Sequence, residues 1–182
     1  KDNNIYLYKL DFIDKKKALF NLISKEEKIV ENKNKLHIGW CVIEPKTVEK
    51  YIASLNEMGV DKITFIYADY SQKNFKINID KLEKILINSS TQCGRSNIIK
   101  LEVCKSLEQF IKENDDVYFL DFSTVCIDEK KDEIKTLVIG CEGGFSKREK
   151  ENFDDNFTVG FKVDLILRSE TATLSASSKI LL

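Results

Sequence analysis

Apolar and polar residues alternate along Ile5–Ile13, "IYLYKLDFI", the period-two pattern of a half-buried strand. A second short run, Ala18–Ser24, follows the polar "DKKK" and predicts a hairpin with the first, at the end of a small β domain. The lysine- and asparagine-rich stretch 25–35 reads as a linker. The pattern then changes. Leu36–Ile43, "LHIGWCVI", is continuously apolar, as in a sheet covered on both faces. Pro45 suits the first turn of a helix, Val48, Ile52 and Leu55 recur at helical spacing, and Gly59 is placed to end it. Strands are expected over 62–68, 98–104, 117–123, 135–141 and 157–162. Between them, 79–93 is an amphipathic helix and 106–114 a short helix capped by Ser106. Ser146 and Glu149 have capping-box spacing, and 169–182 reads as a final helix capped by Ser169. "KDNN" and "EKKDE" read as solvated loops. Strands alternating with helices predict an α/β fold with a mainly parallel sheet.

Composition narrows the function classes. The chain has 182 residues, 32% charged, with a formal net charge of −1, so it carries no global basic field for nucleic acid. A polyanion contact must come from a local patch. Arginine is scarce (Arg95, Arg148 and Arg168), which makes each a candidate bidentate reader of anions, with a surface ion pair as the plain alternative. The five cysteines are odd in number and show no CxxC spacing, which points to a reducing compartment and a cytoplasmic location. With His37 as the sole histidine, a histidine-based zinc site or a Ser-His-Asp triad is disfavoured, and no metal is expected. His37 reads as a structural histidine in a strand. No run is long enough for a membrane span and no signal peptide is evident. The first residue is Lys1, so preceding residues are expected to be missing.

Two junctions carry the chemistry. "LVIGCEGGFSKRE", Leu137–Glu149, puts Gly140, Gly143 and Gly144 within five positions at the end of an apolar strand. Ligands bind beyond the carboxyl ends of parallel strands, and glycines let backbone N–H groups approach a ligand. The spacing is neither GxGxxG nor a P-loop, so a purely structural turn stays open beside an anion or cofactor site. The second junction, "LILRSETATLSAS", places Arg168, Ser169, Glu170 and Thr171 directly after Leu165, Ile166 and Leu167.

Together these junctions resemble the IGPEGGFS-type and ILRTETA-type motifs of the RsmE family, 16S rRNA uridine N3-methyltransferases of the SPOUT superfamily. "LNEMGVDKITFI" and "SSTQCGRSNI" are similar to two further segments of that family, and the resemblance covers about residues 40–182. Cys141 stands where the family commonly has proline, Val163 where it has glycine, and Ser169 where it has threonine.

The resemblance implies a SPOUT-type α/β knot with a deep C-terminal trefoil over residues 34–182. Before it, residues 1–33 would be the last strands of a PUA-like, RNA-binding β-barrel. It implies S-adenosyl-L-methionine (AdoMet) as cofactor, 16S rRNA in the small ribosomal subunit as substrate, and a homodimer. Carried over, the cofactor-binding residues are Leu120, Asp121, Gly140, Glu142, Gly143, Gly144, Leu165, Ile166 and Leu167. Arg168, Glu170 and Thr171 are the expected catalytic residues: Arg168 holds charge on uracil, Glu170 orients Arg168 or helps accept the N3 proton, and Thr171 positions the base or caps the helix. Arg95 and Arg168 are the expected RNA contacts. The alternatives are a SPOUT enzyme acting on another nucleoside, such as a ribose 2′-O-methyltransferase, and a non-catalytic RNA-binding protein of ribosome assembly.

Overall fold

The computed structural model describes residues 4–182; of "KDNN", only Asn4 falls among them. Strands β1 (Asn4–Ile13) and β2 (Ala18–Glu27) pair antiparallel as a hairpin, with the Asp14 carboxylate accepting from the N–H groups of Lys16 and Lys17 at its tip. Both faces of this ribbon expose large apolar side chains, among them Leu7, Leu10, Phe12 and Phe20. A two-stranded ribbon is marginal in water by itself. The linker that follows is tied down. Val30 exchanges hydrogen bonds with Ser96, and Asn32 donates to the carbonyls of Met58 and Leu181.

The remainder is a six-stranded parallel sheet. Its strands are β3 (His37–Cys41), β4 (Lys62–Ile66), β5 (Lys100–Cys104), β6 (Val117–Leu120), β7 (Thr136–Ile139) and β8 (Thr158–Val159). They lie in the order β5-β4-β3-β7-β6-β8. The chain builds outward from β3 to β5, then crosses over and builds the other half, so β3 and β7 meet where the direction of winding reverses. The central strands β3, β4, β6 and β7 are almost wholly buried, which is why they read as unbroken apolar runs.

Among the described residues, six α-helices flank the sheet: α1 (Pro45–Met58), α2 (Ile79–Cys93), α3 (Leu107–Glu113), α4 (Ile127–Lys130), α5 (Lys147–Lys150) and α6 (Ser169–Leu181). Successive residues of β3 face opposite sides of the sheet. Gly39 lies under Phe110 of α3; a Cβ at Gly39 would stand 2.9 Å from the ring. The fully buried Trp40 faces the other side, where α6 begins. Helix α1 packs against both α2 and α6.

The expected starts and stops are largely present. Pro45 opens α1, Gly59 closes it at φ 95°, and Ser106 caps α3. Ser146 and Glu149 form both bonds of a capping box on α5. Two expectations are corrected. Part of the charged "EKKDE" continues helix α4 instead of forming only a loop, because Ile127 is buried and anchors that turn. Ser169 does not cap α6: Arg168 occupies the cap position without a side-chain bond, and the Ser169 hydroxyl is used elsewhere.

His37 is structural, as expected. Its Nε2 lies 2.8 Å from Thr64 Oγ1, and its ring meets Phe110 edge-on. Burial, then the nearby Lys62, pulls its pKa down from 6.5 to about 4, against the opposing pull of Glu102 and Asp61. The unfolded chain therefore takes up a proton at His37 that the folded chain refuses. The contribution of His37 to stability is full above about pH 6.5 and is lost as the pH drops toward about 4. Urea midpoints of the wild type are expected to decline across that window, and His37→Asn is expected to flatten the decline.

Candidate active site

Beyond the carboxyl ends of β6 and β7 lies a cleft of ≈ 430 Å³. Pockets for small ligands and cofactors run from about 300 to 1,000 Å³. Its walls come from three segments distant in sequence: the end of β6, the turn after β7, and the chain that runs from the end of β8 into α6. Leu120 and Asp121, Gly140 to Gly144, and Leu165 to Leu167 all line it, so the two junctions singled out in the sequence meet at one place.

The glycine turn is closed tightly. Gly144 N–H donates to the Cys141 carbonyl at 2.9 Å, and Gly144 takes the left-handed φ of 68° that disfavours a side chain. Gly140 has room for none, since a Cβ would stand 3.1 Å from Gly144 Cα. Gly143 has ordinary φ; its lack of a side chain serves a close approach, with Tyr70 Cβ 3.2 Å from where a Cβ would be. Glu142 stands exposed on the turn, while Cys141 is buried, and burial pushes its thiol pKa up.

The opposite wall is apolar and open. Leu165 and Ile166 are 77% and 82% exposed, Leu167 is half-buried, and Val163 also faces the cleft, half-exposed. The polar end is an ion pair that sequence reading missed: Lys150 Nζ lies 2.5 Å from Asp121 Oδ2, and both residues line the cleft.

The turn is held from behind by buried charge. Glu149, 1% exposed, accepts from Ser146 N–H through one oxygen and from Asp69 N–H through the other, both at 2.9 Å. Asp69 in turn accepts from the Ser146 hydroxyl and from two nitrogens of Arg148. Arg148, then Ser146, holds the Asp69 carboxyl below its ordinary pKa, and Arg148 also bonds Glu108. Arg148 thus braces the site instead of reading an anion.

The remaining sequence candidates divide. Arg168 is exposed, immediately beside the cleft wall but not part of its lining, and its side chain has no hydrogen-bond or ion-pair partner among the described residues. Thr171 is exposed one position beyond Glu170, which is buried and makes no ion pair with Arg168. Arg95, the other expected RNA contact, is buried. It is 8% exposed, and its guanidinium donates to Asn56 O at 3.0 Å and to Asn97 Oδ1 at 2.6 Å. It satisfies a buried carbonyl of α1, a long-range demand that local sequence does not display. Among the described residues no group of three or more His, Cys, Asp or Glu side chains could hold a metal ion, and no helix is long and apolar enough to cross a membrane.

Sequence reading also missed Trp40, Tyr70 and Gly160. A Cβ at Gly160 would stand 2.9 Å from Ser123 O, so this glycine lets β8 close against the floor of the cleft. Only the position of Gly160 inside a short apolar run hinted at such an approach.

A parallel sheet whose strand ends enclose a cleft between two loops is the layout of an α/β enzyme. A family model described as an RNA methyltransferase domain matches residues 30–181. A ribosomal RNA small subunit methyltransferase E from Helicobacter pylori is 39% identical over 98% of this chain and 80% of its own length. That of Buchnera aphidicola is 30% identical over 85% of this chain and 68% of its own. Among solved structures, a Legionella pneumophila protein with SAM bound superposes with a TM-score of 0.78 at 27% identity, over 98% of this chain and 78% of its own. A Neisseria gonorrhoeae ribosomal RNA small subunit methyltransferase E bound to S-adenosyl methionine gives 0.77 at 17% identity, over 97% and 78%, a likeness of fold alone. The chain belongs to the ribosomal RNA small subunit methyltransferase E family of RNA methyltransferases.

Glu149→Ala removes two charge-assisted bonds from behind the turn and leaves two N–H groups unpaired. It is expected to cost about 3 kcal/mol, read as a lower urea midpoint at unchanged slope. Lys147→Ala, an exposed neighbour, is expected to cost less than about 0.5 kcal/mol.

Proposed function

We propose that this chain transfers a methyl group from AdoMet to N3 of a uridine in 16S rRNA of the small ribosomal subunit. The observation that carries the reading is the convergence of the glycine turn and the Leu165–Leu167 segment on one cleft, in a chain of this family.

The residues present fit the cofactor. Leu165, Ile166 and Leu167 offer apolar surface for a flat ring. Gly144, with nothing within 4 Å of where a Cβ would stand, leaves the main chain of the turn open to a close ligand, and Asp121 with Lys150 offers an acceptor and a donor for the polar end. When bound, AdoMet supplies a methyl group already activated by its sulfonium. The chain's own task is then orientation and charge. Arg168 holds the uracil: its unpaired, exposed guanidinium donates to a carbonyl of the base and stabilises the charge that grows as N3 gives up its proton. Its place just outside the cleft suits a group that meets substrate and not cofactor. Glu170 and Thr171 form the first turn of α6, where a carboxylate is favoured by the helix dipole, and keep that turn in place.

Further parts of the reading rest on the family. Residues 34–182 form the catalytic domain, its C-terminal segments threaded as a trefoil knot. Residues 1–33 belong to a PUA-like barrel that holds RNA, which accounts for the apolar side chains exposed on both faces of the hairpin. The working unit is a homodimer in the cytoplasm, with the exposed Leu165, Ile166 and Phe122 as surface for the second subunit.

Full-length protein incubated with labelled AdoMet and undermethylated small subunits is expected to label 16S rRNA, and nucleoside mass spectrometry to find 3-methyluridine. Label on a ribose 2′-oxygen, or none, would overturn the assignment. Arg168→Ala is expected to lower turnover about a hundredfold or more with AdoMet affinity nearly intact; unchanged turnover removes Arg168 from the mechanism.

A further inference from the structure

The indole of Trp40 is fully buried, and an indole N–H can only donate. A buried donor needs a partner. Trp40 Nε1 finds it in Ser169 Oγ at 2.9 Å, across 129 residues of chain. The serine hydroxyl, having accepted there, has one proton to give, and it points to the Gly140 carbonyl at 2.6 Å. The direction of the relay is therefore fixed: Trp40 to Ser169 to Gly140. Its second bond lies at the short end of the range for O–H···O, about 2.5–3.0 Å.

The second bond of this relay joins the two walls of the cleft. Gly140 opens the glycine turn, and Ser169 ends the loop that carries Leu165 to Leu167; both line the cleft. The loop from 161 to 168 has no regular secondary structure and exposes most of its side chains. Among the described residues, the Ser169–Gly140 bond is the side-chain hydrogen bond that joins the two walls. Ser169 is also the first residue of α6, and its carbonyl accepts from Thr173 Oγ1 at 2.8 Å.

We propose that Trp40 and Ser169 are positioning residues that set the separation of the two cleft walls and thereby the affinity for AdoMet. The inference deepens the cofactor reading above and rests on it. Without the serine hydroxyl, the Gly140 carbonyl is released and the Trp40 N–H is left buried without an acceptor. The loop before α6 then loses its fixed point against the turn.

The test is calorimetric titration of the full chain with AdoMet, alongside thermal melting. Ser169→Ala is expected to raise Kd about tenfold, the equivalent of ~1.4 kcal/mol. Ser169→Thr keeps the hydroxyl and is expected to stay within about twofold of wild type, roughly 0.4 kcal/mol. Trp40→Phe leaves the Ser169–Gly140 bond and is expected to weaken binding less than Ser169→Ala. The double variant is expected to bind no worse than Ser169→Ala, because the orphaned donor is gone; if Ser169→Ala does not fold, the double variant is titrated in its place. A Ser169→Ala protein that melts lower but binds AdoMet as tightly as wild type overturns the proposal, as does a Thr variant as weak as the Ala one. Wild type that fails to bind AdoMet defeats the cofactor reading itself, a distinct outcome.

Discussion

The parallel pairing of β7 between β3 and β6 is the constraint on which the site depends. The register sets Ile139 beside both Trp40 and Leu120, so three strands end at the same level. Whatever follows each strand is delivered to one place. The glycine turn, the Asp121 segment and, through Trp40, the start of α6 then share one small volume. Parallel sheets need both faces covered, and the helices that cover this one also fix the loops between them.

Around that cleft, charge is divided by task. Arg148, Asp69 and Glu149 are spent on one another behind the turn. They hold a glycine loop that has few side chains of its own to pack. Lys150 and Asp121 pair within the cleft, where a zwitterionic ligand can compete for either partner. Arg168 is left unpaired and exposed. A long side chain with no internal partner keeps its rotamer freedom, and any contact that orders it must meet that entropy cost.

Local signals were read well and distant ones were not. Pro45, Gly59, Ser106 and the Ser146–Glu149 box each act within one helical turn, so the chain displays them directly. The unbroken apolar strands announced a sheet buried on both sides. The two cleft-lining junctions were visible because glycines and a charged cluster abut strand ends. Arg95 was misread because its partner Asn56 is 39 residues away. Ser169 looked like a cap because caps are what serines before helices usually are; its real partners lie on β3 and after β7. The brace on Glu149 exceeds its capping box because Asp69 reaches in from 80 residues away. Spacing along the chain carries no record of such meetings.

Trp40 is the chain's single tryptophan, and its indole is hydrogen-bonded to Ser169 in the wall of the cleft. Emission from the chain's indole therefore arises at one place, one hydrogen bond from a residue of the cleft wall, and can be followed without a dye or an engineered label.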